Sequence, residues 1–328
     1  MKAAFGSRPL SVDRGGFLDP ATTSYARRSR RVVQRWTTIV LLLLPASVLY
    51  VVFVLVPVVQ AAFFSFFRWN GLGPLTDFIG FDNYARALSD GVFRGAIAHN
   101  FVIVALSLLI QLPIALGLAL LVGRRLPGRV LFRTVFFLPY VLSDVVTGVM
   151  WSEVYNPQVG ALTALGAALI PGFKSQALLG HTETVLFAIF AVMTWKYFGF
   201  HLVLYVAGLQ QIPSEIEDAA RIDGASNVQV LRRITLPLLG STIRISAFLS
   251  VIGSLQYFDL IWVMSTGGPV GASETMVTYL YKFGLQRLAL GYGSAVATVL
   301  FVLCLAFSLL YQRTLMREDV AGGVSRAV

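Results

Sequence analysis

The sequence predicts an all-α membrane protein with six transmembrane helices. Its residues are 56% hydrophobic and only 13% charged, whereas typical soluble domains are about 25% charged. The mean hydropathy of +0.74 leaves too little polar surface to cover a water-soluble core. Six apolar runs have about the 20 residues that a helix needs to cross a bilayer.

Three of these runs contain no Asp, Glu, Lys or Arg: Trp36–Phe67, Gly95–Gly123 and Leu288–Gln312. Three others each carry one ionisable residue: Leu131–Trp151 with Asp144, Val185–Leu209 with Lys196, and Ile243–Met264 with Asp259. Because an unpaired backbone polar group in lipid costs several kcal/mol, we expect every run to be helical, which gives six spans.

Basic residues are concentrated at one predicted side of the membrane. Residues 1–36 hold eight Lys and Arg against two Asp, and the connection 123–134 holds four Arg and no acid. Excess Lys and Arg stays cytoplasmic, so both termini are expected to face the cytoplasm. The net charge of +10 is therefore attributed to orientation in the membrane rather than to nucleic-acid binding.

Three regions follow from this topology. Residues 1–35 are predicted to form a mobile cytoplasmic arm, residues 36–316 the transmembrane domain, and residues 317–328 a cytoplasmic tail. The polar N-terminal segment and the apolar run after it are both too long for a signal peptide, so the first helix is expected to be retained.

The segment between the fourth and fifth runs, residues 211–237, is predicted to form two short helices with a sharp turn, here called the hairpin. Ser214 and Glu217 have the S-x-x-E spacing of a capping box at the start of the first helix. Gly224 is placed to end that helix in a left-handed conformation.

The second helix of the hairpin is predicted to begin at Ser226, where Gln229 repeats the capping-box spacing, and to continue through Ile234. Pro237 is then expected to break the helix and to start the next span.

The first predicted helix of the hairpin offers a surface for another protein. Ala219 and Ala220 leave a shallow surface against which a partner's groove can pack closely. The charges expected to orient that partner belong to Asp218, Arg221, Asp223, Arg232 and Arg233.

A family resemblance rests on this same segment. The spacing D-A-A-x-x-x-G-x₉-I-x-L-P is formed by Asp218, Ala219, Ala220, Gly224, Ile234, Leu236 and Pro237. It resembles the E-A-A-x-x-x-G-x₉-I-x-L-P signature of the permease subunits of ABC importers. Asp218 is the one departure, which keeps the charge on a shorter side chain.

The wider sequence, from about residue 37 to residue 316, is similar to the sugar-importer branch of that family. Within that branch it resembles the first of the two permease subunits of maltose-type and glycerol-phosphate-type systems. Four segments carry this similarity: FIGFDNYARAL at 78–88, FFLPYVLSDVVTGVMW at 136–151, AGLQQIPSEIEDAARIDGAS at 207–226, and FDLIWVMSTGGP at 258–269.

The resemblance implies the type I ABC importer permease fold in the inner membrane. It implies a second permease subunit as heterodimer partner, a dimer of ABC ATPases that binds ATP and Mg, and an extracytoplasmic solute-binding protein. It implies no cofactor in this chain. The hairpin would be the coupling helix that docks on the ATPase, with contacts from Glu217, Asp218, Ala219, Ala220, Arg221, Asp223, Gly224, Ile234, Leu236 and Pro237.

Sequence motifs give no sign of an enzyme. The phosphate-binding pattern G-x-x-x-x-G-K-[ST] is missing, and the nearest segment, 123–130, lacks the Lys and the Ser or Thr. His99, His181 and His201 are scattered, and Cys304 is the single cysteine. We therefore expect a transport subunit whose power source is a separate chain. An ion-coupled secondary transporter remains the alternative.

Candidate residues of the substrate pathway are the intramembrane polar and aromatic side chains Asp144, Trp151, Lys196, Tyr197, Gln256, Tyr257 and Asp259. A charge at the bilayer centre costs about 2.5–3.5 kcal/mol on insertion scales, so such residues usually face the protein interior or water. Two interpretations remain open: the charges line a hydrated pathway, or Lys196 pairs with one of the acids and fixes helix positions.

Overall fold

The computed structural model describes residues 36–123 and 128–315, and for Arg129 and Val130 the backbone alone. The predicted arm, residues 1–35, and the predicted tail, residues 317–328, lie outside this range. The chain divides into two compact units, Met1–Val59 and Gln60–Val328. The site described below lies entirely within the second unit.

The described residues are helical except for connecting segments and one isolated antiparallel bridge between Phe67 and Phe78. In chain order the helices are α1 Trp36–Phe64, α2 Asp82–Ser89, α3 Gly91–Val122, α4 Arg129–Val141, α5 Asp144–Val154, α6 Ala161–Leu169, α7 Val185–Gln210, α8 Ser214–Ile222, α9 Asn227–Leu238, α10 Gly240–Leu255, α11 Asp259–Ser265, α12 Met276–Tyr279 with its π-helical continuation Leu280–Gln286, and α13 Leu290–Thr314.

Four helices, α1, α3, α7 and α13, are long and apolar enough to cross a membrane. Two bent pairs, α4 with α5 and α9 with α10, bring the number to six if each pair is one span. The predicted all-α architecture is confirmed. Two of the predicted runs, 131–151 and 243–264, are each interrupted by a break in the helix.

The first break lies between α4 and α5, whose axes differ by 95°. Pro139 lies inside α4, where it lacks the N–H that would continue the helical hydrogen-bond pattern. The Lys196 ammonium donates to the carbonyl oxygen of Leu142, at the point where α4 ends. A polar side chain from α7 therefore satisfies a backbone group that the break would leave unpaired in the membrane.

The second break separates α10 from α11 at residues 256–258. The Asn100 amide donates to the carbonyl oxygens of Ser254, at 2.7 Å, and Leu255, at 3.2 Å. Its own oxygen accepts from the backbone N–H of Met276 at 2.9 Å. One fully buried side chain of α3 thus binds the end of α10 to the start of α12.

Helix α7 lies at the centre of the second unit, with buried residues along most of its length. It packs against α3, α4 and α10. Gly199 permits the closest approach, because a Cβ there would overlap the carbonyl oxygen of Phe136 in α4. Helices α3, α4 and α10 therefore lie around α7.

Candidate functional site

The hairpin connects α7 to α10 and consists of α8 and α9, as the sequence predicts. Gly224 has φ of +85°, and the N–H of Ala225 donates to the carbonyl oxygen of Ala220 at 2.9 Å. This is the left-handed ending expected for α8. At the start of α9, the predicted capping box between Ser226 and Gln229 is formed, with hydrogen bonds of 2.7 and 3.3 Å.

The other predicted capping box is not formed. Helix α8 begins at Ser214 itself, after Pro213, and the Glu217 side chain turns toward α9 instead of back along its own helix. The Thr235 hydroxyl donates to the Glu217 carboxylate at 2.8 Å, and Glu217 is only 8% exposed. Glu217 therefore connects the two helices of the hairpin, a role that the spacing in the sequence did not indicate.

Thr235 occupies a π-helical turn of α9, Leu231–Thr235. Helix α9 continues past Pro237 to Leu238, so the predicted break at Pro237 occurs two residues later, at Leu239. There α9 and α10 meet at 62°.

The outer surface of the hairpin combines charged and apolar side chains. Asp218 and Ala219 are exposed, and Asp218 pairs with Arg221 at 2.7 Å. Ile222 is 86% exposed and Val228 58% exposed. Both are large apolar side chains exposed on an otherwise polar segment.

The other predicted coupling residues are distributed around the turn. Asp223, Gly224 and Ile234 line a cavity of about 290 Å³ between α8 and α9. Leu236 is half-buried and Pro237 is exposed, both in the last turn of α9.

The hairpin lies at the same end of the second unit as the end of α3. Leu120, Leu121 and Gly123 share the lining of a cavity of about 960 Å³ with residues of the hairpin. Gly123 directly precedes the basic connection to α4, and the Arg133 side chain reaches back to its carbonyl oxygen. The hairpin thus lies beside Gly123, the residue at which the Arg-rich connection begins.

A second candidate site is a cavity of about 370 Å³ between the middle of α3, α7 and α10. It is lined by polar and aromatic side chains with a few apolar ones: Ser107, Gln111, Tyr140, Met193, Tyr197, Phe200, His201, Leu249, Ser250, Ser254, Gln256, Tyr257, Phe258 and Asp259, with Gly253. Hydroxyl and amide groups beside aromatic rings are the chemistry that binds polar small molecules.

Four of the predicted pathway residues line this cavity: Tyr197, Gln256, Tyr257 and Asp259. Gln256 and Asp259 are exposed, and both lie at the break between α10 and α11. Trp151 is not part of the lining and packs against Tyr155 and Trp195.

Asp144 and Lys196 lie outside the lining of the cavity. Lys196 is 2% exposed, and its Nζ is 3.7 Å from Asp144 Oδ1. The Tyr197 hydroxyl donates to the same carboxylate oxygen at 2.7 Å. Of the two interpretations left open by the sequence, this geometry favours the pairing of Lys196 with an acid, in which Lys196 is buried and Asp144 remains 29% exposed.

Several polar residues of the cavity were not predicted from the sequence. Ser107 and Gln111 lie in a π-helical turn of α3, and Ser250 and Ser254 lie one turn apart on α10. His201 bonds the Ser246 hydroxyl through Nδ1 at 2.8 Å. Small polar residues repeated in otherwise apolar spans were the available signal.

A further ion pair, Glu274 with Lys282, is not part of the lining of either cavity. Glu274, 1% exposed, binds Lys282 at 2.6 Å, and its backbone oxygen lies 2.9 Å from the His99 ring. Within residues 36–123 and 128–315 there is no group of three or more His, Cys, Asp or Glu arranged to hold a metal ion.

Comparison with known proteins reveals a family and its fold. The family model described as "Binding-protein-dependent transport system inner membrane component" matches residues 111–317. The probable ABC transporter permease protein YurN of Bacillus subtilis is 34% identical over 83% of this chain and 94% of its own length. The multiple sugar-binding transport system permease protein MsmF of Streptococcus mutans is 31% identical over 84% and 93%.

Among solved structures, a chain of a bacterial alginate ABC transporter, determined in complex with a periplasmic protein that binds an alginate pentasaccharide, matches with a TM-score of 0.75. The match covers 88% of this chain and 97% of that chain, at 24% identity. It demonstrates a shared fold.

Proposed function

The chain belongs to the family of binding-protein-dependent transport system inner membrane components, and from this premise we propose that its hairpin, residues 211–237, couples carbohydrate import to ATP hydrolysis by a separate ATPase. The chain is a multi-pass membrane permease subunit of an ABC importer. Its hairpin would dock on the ATPase through Asp218, Ala219 and the exposed side chain of Ile222.

The contacts within the hairpin support a route for the coupling. A movement of α8 would pass to α9 through the buried Glu217–Thr235 bond. Helix α9 continues through the bend at Leu239 into α10, which forms one wall of the polar cavity. Closure of the ATPases would therefore change the relative stability of two conformations of the cavity, which is what alternating access requires.

The lining of the cavity supports a carbohydrate as cargo. Ser250 and Gln256 offer hydrogen-bonding groups, while Tyr197 and Phe200 offer aromatic faces. Aromatic rings pack on the C–H faces of sugars, and amides and hydroxyls replace the water that a sugar loses. The name of MsmF, a sugar transport permease, agrees with this assignment.

The remaining parts of the importer follow from the same proposal. A second permease subunit would complete the pathway as a heterodimer, two ATPase subunits would hold ATP and Mg, and a solute-binding protein would deliver the cargo at the outer face. Both termini would lie in the cytoplasm, with residues 1–35 as an arm, 36–316 as the transmembrane domain and 317–328 as a tail. The Arg-rich sequence of the connection 123–134, which begins beside the hairpin at Gly123, supports this orientation.

The observation that carries the proposal is the exposed apolar surface of a hairpin whose buried Glu217 is fixed to Thr235. The test is uptake of radiolabelled sugars by proteoliposomes that contain the complete importer. We expect uptake to require ATP on the side of the ATPases and to persist when ionophores abolish all ion gradients. Uptake that requires an ion gradient and does not depend on ATP would instead identify an ion-coupled secondary transporter.

A further inference from the structure

The polar cavity carries an unbalanced acidic charge. Asp259 lies on its wall, at the first turn of α11, and its side chain is exposed. No described side chain forms an ion pair with Asp259. Lys196 is not part of the lining; it is buried, and its ammonium lies 3.7 Å from the Asp144 carboxylate.

The charged side chains at and beside the cavity, Asp144, Lys196 and Asp259, have a net charge of −1. Lys196 and Asp144 cancel as a pair, and Asp259 remains. The lining also contains His201, whose ring nitrogen Nδ1 is hydrogen-bonded to the Ser246 hydroxyl. Imidazole is mostly uncharged above pH 7, so His201 adds no charge to this sum. No Lys or Arg is among the residues that line the cavity.

We propose that the cavity is selective for uncharged carbohydrates and that Asp259 excludes anionic ones, such as uronates and sugar phosphates. This inference rests on the proposed function, which it makes more specific. A carboxylate at the wall of a narrow site repels an anion strongly, because the surrounding protein screens charge less than water does. Arg or Lys would be expected at the wall if the cargo carried a phosphate or carboxylate.

The electrostatic potential of the cavity can be measured without knowing the cargo. Gly253 is on the wall, and a Cβ added there meets no atom within 4 Å, so Gly253→Cys should be accommodated. Cys304→Ser provides the background, since Cys304 is the single native cysteine. The assembled importer, with its partner permease in place, would be treated at pH 7.5 and low salt with methanethiosulfonates bearing a positive, a neutral or a negative group.

We expect the cationic reagent to modify Gly253→Cys about tenfold faster than the anionic one, after normalisation to free 2-mercaptoethanol. Asp259→Asn in the same background should reduce this ratio at least threefold, which assigns the preference to that carboxylate. A normalised ratio below about three in the protein with Asp259 intact would overturn the inference. Because the partner permease is present, a compensating basic group on its side would appear in this ratio.

The cargo itself provides the second test. The solute-binding protein of the importer would be screened by thermal shift with maltose, trehalose and diacetylchitobiose against glucuronate and sn-glycerol 3-phosphate, followed by uptake of each ligand that binds. We expect ATP-driven uptake of uncharged sugars alone. ATP-driven uptake of an anionic sugar would refute the charge selectivity while leaving the proposed function intact. A cysteine at position 253 that reacts with none of the reagents would also refute the charge selectivity, because the cavity would then lie outside the hydrated pathway, whereas the proposed function is tested separately by ATP-driven uptake.

Discussion

Removal of the Thr235 hydroxyl should loosen the hairpin and separate ATP hydrolysis from transport. Thr235→Val keeps the shape of the side chain but removes the donor that binds the Glu217 carboxylate at 2.8 Å. Hydrogen bonds to charged groups contribute about 1.5–3 kcal/mol to stability. Glu217 is only 8% exposed, so water cannot easily replace the lost donor.

This free energy predicts the size of two effects. Each 1.4 kcal/mol is a factor of ten in an equilibrium, so amide hydrogen exchange in Ser214–Ile222 should accelerate about 10- to 150-fold in Thr235→Val. The amount of sugar transported per ATP hydrolysed should fall several-fold, because α8 would move without displacing α9. Mass spectrometry of the exchanged importer and paired uptake and hydrolysis assays measure the two quantities.

Three controls make this prediction specific. Thr235→Ser keeps the hydroxyl and should behave like the wild type. Glu215→Gln removes an exposed acid from the same helix and should have little effect. In a double-mutant cycle, Glu217→Gln combined with Thr235→Val should cost less than the sum of the two single changes. Exchange in Thr235→Val within about twofold of the wild type would refute the reasoning.

Three other changes test neighbouring parts of the account. Gly224→Val places a β-branched residue at φ of +85°, which costs at least about 1–2 kcal/mol in the turn, and it should abolish coupled uptake. Gly224→Asn tolerates this conformation and should retain coupled uptake. Equal uptake by both variants would contradict the role of the turn. Asp218→Lys should reduce co-purification of the ATPase with unchanged membrane yield, and full recovery of the ATPase would count against docking at this residue. Lys196→Met should destabilise the purified permease by about 3 kcal/mol, because it leaves the Asp144 carboxylate without its cation. Adding Asp144→Asn should restore part of the lost melting temperature. An unchanged melting temperature in Lys196→Met alone would show that the pair is not structural.

The sequence predicts the spans and the hairpin well because both depend on local properties. Hydrophobic run lengths locate α3, α7 and α13 directly, and the turn at Gly224 follows from the conformational freedom of glycine. The capping box of Ser226 and Gln229 depends on residues three apart, so its spacing alone identifies it.

The breaks within two spans escape prediction because distant residues stabilise them. Composition cannot reveal that Lys196 of α7 satisfies the carbonyl of Leu142, or that Asn100 of α3 binds the end of α10 near Leu255. Without those partners an unbroken helix is the expected state of an apolar segment in lipid. The same limit applies to Glu217, whose partner lies 18 residues away.

The cavity shows an intermediate case. Asp259, Tyr197 and Gln256 are recognisable as unusual residues in apolar runs. Ser107 and Gln111 line the cavity and belong to a π-helical turn of α3. The residue types in that turn do not predict a π-helical conformation. Intramembrane polar residues could thus be identified, but not assigned to the cavity or to buried pairs.

The most direct test of the coupling role is a cross-link between the hairpin and the ATPase in the assembled importer. Ala219→Cys, in a Cys304→Ser background, places a thiol on the exposed face of α8, and Leu72→Cys places an exposed thiol outside the hairpin. We predict that a short bifunctional maleimide joins the cysteine at position 219 to an engineered ATPase cysteine, with a yield that changes when ATP binds. Cross-linking at position 72 with none at position 219 would contradict the account.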